Sequence, residues 1–338
     1  MTAPFLFVVG CNRSGTTLLR TMLDAHPELA VPPEAYFTVR ILRRHPSSPG
    51  AGVDSMLDRL TAELEADGSY RNWALPRDAL RATLAARPPE STADVLRSVY
   101  ATYGATRGKA RVADKTPRNV AHIDLIARSF PEARFLHLVR DGRDVVPSVI
   151  EHLVGPDRFL PTVEYWRERV LAGRRSGGQL PADRYLEIRY EDLVSDPAAA
   201  VTRIGEFAQL EHPERMLDYT ERSESVLATV WDERRHQGIT RPPTPGIRDW
   251  RTAMRPHDVD RFEALAGDAL DAFGYDRSRA RPPARARLEA FAWRRSARLR
   301  RAARPLTTGA ERRRRDRRRA EAGAPPRRRA RQAATEAR

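Results

Sequence analysis

Cysteine, lysine and long apolar runs are what this 338-residue sequence has least of. Cys11 is the only cysteine, so no intramolecular disulfide can form and a zinc site built on several thiolates is excluded. No stretch approaches the ~18 consecutive apolar residues of a membrane-spanning helix. The first nine residues also lack the basic flank and small-residue cleavage site of a secretory signal. These absences point to a cytoplasmic protein. Of the 60 basic residues only Lys109 and Lys115 are lysine. Where arginine has taken nearly every basic position, a retained lysine marks a place that wants a compact, steerable ammonium.

The net charge of +15 is unevenly spread. Residues 277–338 hold 23 Arg, no Lys and 5 acids, a charge of +18, which leaves the first 276 residues at −3. A near-neutral body argues against a surface built to grip nucleic acid. At this size it is large enough for one domain burying roughly three quarters of its unfolded surface. The last 62 residues are mostly Arg, Ala and Pro, with little to bury, and read as a largely disordered tail. Within it, 284–304 fits a basic amphipathic helix with Leu288, Phe291, Ala292 and Leu299 on one face, which suits an anionic membrane or a polyanion.

Phe5-Leu6-Phe7-Val8-Val9 is a continuous apolar run ending in Gly10, the pattern of a buried parallel strand. A short polar loop follows, then a helix over 17–25 that His26-Pro27 ends. A second unit of the same kind runs from a strand at 133–139 through Arg140-Asp141-Gly142-Arg143 to a helix from about Asp144. A short strand-like Ala110-Arg111-Val112 precedes it, and a further strand is expected at 185–188. Residues 41–108 read as helical, most regularly over 53–65 and 91–103, and helices are expected at 197–210 and 256–272. Strand, loop, helix repeated in this way predicts an α/β fold with a parallel sheet between helices.

Gly10-Cys11-Asn12-Arg13-Ser14-Gly15-Thr16-Thr17 joins the first strand to its helix. Backbone N–H groups of such a loop and of the helix's first turn form an anion cradle. Gly15 permits close approach, Ser14, Thr16 and Thr17 add hydroxyls, and Arg13 adds a fixed charge. As a nucleoside-triphosphate loop it fails, because Thr16 stands where lysine is required and no strand ends in an Asp suited to Mg²⁺. Arg140 ends the 133–139 strand, and Ser148 follows eight residues on in a helix, a spacing that lets both reach one phosphate.

The run from Arg13 through Leu18-Leu19-Arg20, Met22-Leu23-Asp24-Ala25-His26-Pro27 and on to Glu34 resembles the sulfotransferases that use 3′-phosphoadenosine 5′-phosphosulfate (PAPS), most of all the bacterial branch and the protein-tyrosine sulfotransferases. Asn12 replaces the proline usual in their 5′-phosphosulfate loop. The resemblance spans 5–37, 112–150 and 184–197, and implies the sulfotransferase form of the P-loop nucleotide-kinase architecture with PAPS as co-substrate and no metal. It assigns Arg13, Ser14, Gly15, Thr16 and Thr17 to the 5′-phosphosulfate, and Arg140 and Ser148 to the 3′-phosphate, leaving Arg143 and Asp144 to structural ion pairs. It sets Tyr190, in Tyr190-Glu191-Asp192-Leu193, beside the adenine; from the residues alone a strand-end tyrosine packing on the core is an equal reading. Gly246-Ile247-Arg248-Asp249-Trp250-Arg251 resembles the family's late loop over the nucleotide, which makes Arg241 and Arg248 further candidates for the 3′-phosphate.

Sulfonate transfer needs a base for the acceptor's proton and cations for charge developing on the sulfonyl oxygens and the leaving phosphate. Arg13 and Lys115 are the candidate cations; Lys115 lies in a Lys-Thr-Pro-Arg-Asn run similar to that of bacterial relatives. For the base, the resemblance points to Glu34 after Pro32-Pro33, with His122, His137 and His152 as rivals because the animal cytosolic branch uses histidine. The acceptor can be a small molecule, carbohydrate, lipid or peptide, and the oligomeric state is not encoded in any motif. The alternatives are an ATP-dependent small-molecule kinase on a related architecture, or a non-catalytic nucleotide-binding protein tethered by its tail.

Overall fold

A computed structural model describes residues 3–46, 53–152, 154–222 and 249–296. Contacts divide the chain into two units, 1–278 and 279–338. In the first, five parallel strands form one sheet in the order β2-β3-β1-β4-β5, with β1 Phe5–Gly10, β2 Leu29–Ala30, β3 Arg111–Lys115, β4 Ala133–Val139 and β5 Tyr185–Arg189. Around it run α1 Thr16–Ala25, α2 Tyr36–Arg44, α3 Val53–Ala66, α4 Gly68–Arg71, α5 Arg77–Ala86, α6 Thr92–Thr106, α7 Ile123–Ser129, α8 Gly142–Glu151, α9 Phe159–Gly177, α10 Tyr190–Ser195, α11 Pro197–Ala208, α12 Trp250–Ala253 and α13 Pro256–Ala272. The sheet is buried on both faces, as continuous apolar strands require. On one side Phe7, Phe37, Trp73, Tyr100 and Phe130 lead an aromatic core. On the other Leu6, Val8, Leu19, Met22 and Leu136 pack with α11 residues such as Ile204.

Strand order places the site. The chain leaves β1 toward β2 on one side of the sheet and leaves β4 toward β5 on the other, so β1 and β4 flank the point where winding reverses. Open α/β sheets bind ligands in the crevice at the carboxyl ends of such strands. Gly10, the last residue of β1, pairs with Leu138. A Cβ there would lie 2.5 Å from the Leu138 carbonyl oxygen, so only glycine lets the loop depart here.

Two strands depart most from the sequence pattern. The strand at 110–112 runs on to Lys115, because its charged end is paired rather than solvated. Leu29–Ala30 forms a two-residue edge strand too short to show any periodicity. In the second unit, α14 Ala284–Arg295 is the only helix among the described residues, and the expected continuation to 304, with Leu299, lies outside them. Leu288, Phe291 and Ala292 are all exposed on it, while Ala286 and Ala290 are buried.

Candidate functional site

The loop after β1 has the geometry of an anion cradle. Arg13 and Gly15 both have left-handed backbone, with φ of 73° and 90°. Left-handed residues in a turn gather successive N–H groups into a concavity, and for arginine that conformation is a strained one, retained where surroundings enforce it. Gly15 is the N-cap of α1 and offers no side-chain cap, which leaves the first-turn N–H groups of this ten-residue helix free for a ligand. The Ser14 hydroxyl is fully buried with no hydrogen-bond partner. A buried, unpaired hydroxyl in an uncapped cradle fits a phosphate or sulfonate oxygen. Cys11 in the same loop is pushed up to about 12 by burial and stays a neutral thiol.

The second segment meets this loop. Ser148, buried on α8, accepts a 2.9 Å hydrogen bond from Arg13 Nε. Arg140, just past β4, lies over the Tyr190 ring with its guanidinium carbon 4.4 Å from the ring centre. Its nearest carboxylate oxygen, on Asp144, is 3.6 Å away, and its Nε has no partner. Tyr190 packs on the loop as well, since a Cβ on Gly15 would fall 2.3 Å from its ring. One tyrosine thus touches the phosphate loop and the second arginine. A cavity of about 420 Å³ opens beside it, lined by Arg140, Tyr190, Glu191, Trp250 and Arg251 among others. Arg143 and Asp144 make the ion pairs expected of them: Arg143 with Asp141 and Glu263 at 2.7 and 2.8 Å, Asp144 with Arg140. Arg241 and Arg248 lie outside the described residues.

The third element is a carboxylate–ammonium pair. Lys115 ends β3 almost wholly buried, and its Nζ donates to Glu34 Oε1 at 2.7 Å. The Tyr36 hydroxyl donates to the other oxygen, Oε2. Burial by itself would raise the Glu34 pKa, yet Lys115, the Tyr36 hydroxyl and Arg118 together hold the carboxyl below its ordinary value. Burial draws the Lys115 pKa down, against the pull of Glu34. Residues 81 positions apart therefore form one acid–base pair beside the loop.

The rival histidines make other contacts. His137 is buried in β4, where its Nδ1 lies 2.6 Å from the Tyr185 hydroxyl. His122 contacts Arg43, and His152 lies near Glu151. Residues the sequence did not single out complete the surroundings. Arg118 lies over the Tyr36 ring at 5.5 Å and Arg169 over Tyr165 at 3.8 Å, and the Nε of each is buried without a partner. Asn12 Nδ2 donates to the Val154 carbonyl at 3.0 Å. Arg118 stands within the Lys-Thr-Pro-Arg-Asn run, which was the available signal. Among the described residues no three His, Cys, Asp or Glu side chains converge as metal ligands, and no helix is long and apolar enough to cross a membrane.

Residues 4–214 match the sulfotransferase family. Protein-tyrosine sulfotransferase A of Caenorhabditis elegans is 26% identical over 288 residues, 83% of this chain and 70% of that protein. Nodulation protein NoeE of Sinorhizobium fredii is 25% identical over 299 residues, 80% of this chain and 66% of the other. Among solved structures, the sulfotransferase domain of the Synechococcus PCC 7002 olefin synthase superposes with a TM-score of 0.59 at 25% identity, covering 81% of this chain and 95% of that domain.

Proposed function

The chain belongs to the sulfotransferase family, and from that premise we propose a role for each residue of the site. The enzyme moves a sulfonate group from PAPS to a hydroxyl or amine by in-line displacement; the new bond forms from the acceptor atom to sulfur as the sulfur–phosphate oxygen bond breaks, releasing adenosine 3′,5′-bisphosphate. A kinase reading is not favoured, since Thr16 occupies the position of the required lysine. The loop amides with Ser14, Gly15, Thr16 and Thr17 hold the 5′-phosphosulfate. Arg140, with Ser148, holds the 3′-phosphate, and Tyr190 faces the nucleoside. Arg13 and Lys115 offset charge on the sulfonyl and bridging oxygens, where preorganised cations act most strongly. Glu34, ionised at neutral pH in its paired state, takes the acceptor's proton. The observation that carries this reading is the uncapped α1 terminus with its unpartnered Ser14 hydroxyl, clasped through Arg13 to Ser148.

The acceptor reaches Glu34 past Tyr36, which is 44% exposed, and past Arg118 and Arg169. That cationic, aromatic approach suits a hydroxyl on a ring whose surroundings are anionic, and relatives named for protein tyrosine are consistent with a phenolic acceptor. The second unit, with Leu288 and Phe291 exposed among Arg285, Arg287, Arg294 and Arg295, suits an anionic lipid surface. Salt-sensitive co-sedimentation with anionic vesicles tests that part.

Labelled PAPS incubated with a host metabolite extract and with tyrosine peptides will give a sulfated product. Glu34→Gln should lower turnover by about 10²–10⁴ while adenosine 3′,5′-bisphosphate still binds. Normal turnover in that variant, with His122→Ala inactive, would move the base to His122.

A further inference from the structure

Glu34 sits on a stretch with no regular structure, 31–35, between β2 and α2. Pro32 and Pro33 carry no N–H, so neither can donate a hydrogen bond to fasten this backbone. Its N-terminal end is fastened through Val31, whose N–H donates to Asp24 at 2.8 Å and whose carbonyl accepts from Arg20 at 3.0 Å. At the other end the Ala35 N–H, next to Glu34, donates to Thr116 Oγ1 at 2.8 Å. Thr116 follows Lys115 directly in sequence. The segment that carries the cation therefore also fastens the backbone of the base.

With Asp114 ionised, donors and acceptors can be assigned through this arrangement. The Thr116 hydroxyl donates to Asp114 Oδ2 at 3.0 Å, which leaves a lone pair for Ala35. Tyr100 donates to the same oxygen at 2.6 Å, and Asn119 donates to Oδ1 at 3.1 Å. Tyr100 has then spent its proton, so Thr38, from the first turn of α2, donates to it at 2.9 Å. Asp114, Thr116 and Ala35 are fully buried. The Tyr100 ring is set edge-on against Phe5 and Trp73, with centroids 4.9 and 5.1 Å away. The network is buried and anchored in the aromatic core. Such fully satisfied buried networks are rigid, and a reacting group misplaced by about 1 Å loses on the order of 10² in rate.

We infer that Thr116, oriented by Asp114, is a positioning residue that sets Glu34 against Lys115 through the Ala35 amide. The inference rests on Glu34 being the base. It is tested on the full chain with Thr116→Val, Thr116→Ser and Glu34→Gln, read three ways: hydrogen exchange of the Ala35 amide with adenosine 3′,5′-bisphosphate bound, affinity for that nucleotide, and its release from PAPS with a tyrosine-peptide pool or water as acceptor. Thr116→Val should speed Ala35 exchange at least ~10-fold and lower kcat about 10- to 100-fold, with nucleotide affinity and the KM for PAPS unchanged. Thr116→Ser, which keeps the hydroxyl, should restore both to within a few-fold of the parent. In the Glu34→Gln background Thr116→Val should cost little more. Unchanged Ala35 exchange, unchanged kcat, or a full additive loss in the double variant would overturn the inference. A Glu34→Gln protein that turns over normally fails the base assignment first, and the inference with it; slow Glu34→Gln beside normal Thr116→Val fails the inference alone.

Discussion

Arg140 and Arg143 stand three residues apart where β4 gives way to α8, and their surroundings are opposite. Arg143 is buried and satisfied: its Nε and one Nη meet Asp141 at 3.0 and 2.7 Å, Glu263 takes the other Nη at 2.8 Å, and the Asp276 carbonyl accepts a further bond at 2.7 Å. Its guanidinium carbon lies 3.7 Å from the Trp250 ring centre. Arg140 has one loose carboxylate, an unpartnered Nε and a tyrosine face. In sequence both are arginines of one motif. In the fold, one has its hydrogen-bonding capacity used by the protein and the other has capacity left over.

The comparison breaks most visibly at Arg143. Arg143→Leu leaves Asp141 and Glu263 buried without their partner, which should cost about 3–5 kcal/mol in denaturant unfolding; a loss below about 1 kcal/mol would mean the pairing is dispensable. Arg140→Ala should instead leave stability within about 1 kcal/mol and weaken adenosine 3′,5′-bisphosphate by at least ~10-fold, the scale of one charge-assisted contact of about 1.5–3 kcal/mol. The affinity for 5′-AMP should not change, and an equal loss for both nucleotides would remove Arg140 from the 3′-phosphate.

Asp144 sharpens the contrast through pH. Burial raises its carboxyl to about 6, with Asp141 and Glu191 adding repulsion and Arg140 and the Trp250 N–H opposing. The folded chain thus holds this proton more tightly than the unfolded one, whose value is about 3.9. The resulting stability is fully present below the unfolded value and is lost as pH climbs toward 6. Asp144→Asn keeps an oxygen for the 2.8 Å bond from Trp250 N and does not titrate. Its advantage over the parent should therefore widen between pH 4.5 and 7.5, by roughly 1–2 kcal/mol. A gap independent of pH in paired denaturation curves would contradict the raised pKa.

Much of this was legible in the sequence, because local rules carry it. The apolar runs before Gly10 and Arg140 mark the two central strands, and Gly-x4-Gly without its lysine marks a cradle for something other than a nucleoside triphosphate. Lys115 stands out by its rarity and by the Lys-Thr-Pro-Arg-Asn run that it opens. What could not be read was long-range: that Ser148 would close on Arg13 across 135 residues, or that Glu34 and Lys115 would pair across 81. The β3 boundary was missed because Asp114 and Lys115 look solvent-facing until their partners are known. On α14, periodicity groups Leu288, Phe291 and Ala292 but does not say whether they are covered, and all three lie open.

Both lysines are interior. Lys109 Nζ donates to the carbonyls of Asp24 and Leu29, the latter at 2.8 Å, and only 7% of its side chain is exposed; for Lys115 the figure is 2%. Nucleophilic amines need access and a free lone pair, and these have neither while the sheet is intact. Amine-directed reagents such as succinimidyl esters will therefore pass over the lysine side chains of the folded enzyme. They will mark Lys109 and Lys115 only in molecules that have opened around β3, which turns an ordinary labelling reagent into a count of local unfolding at the edge of the site.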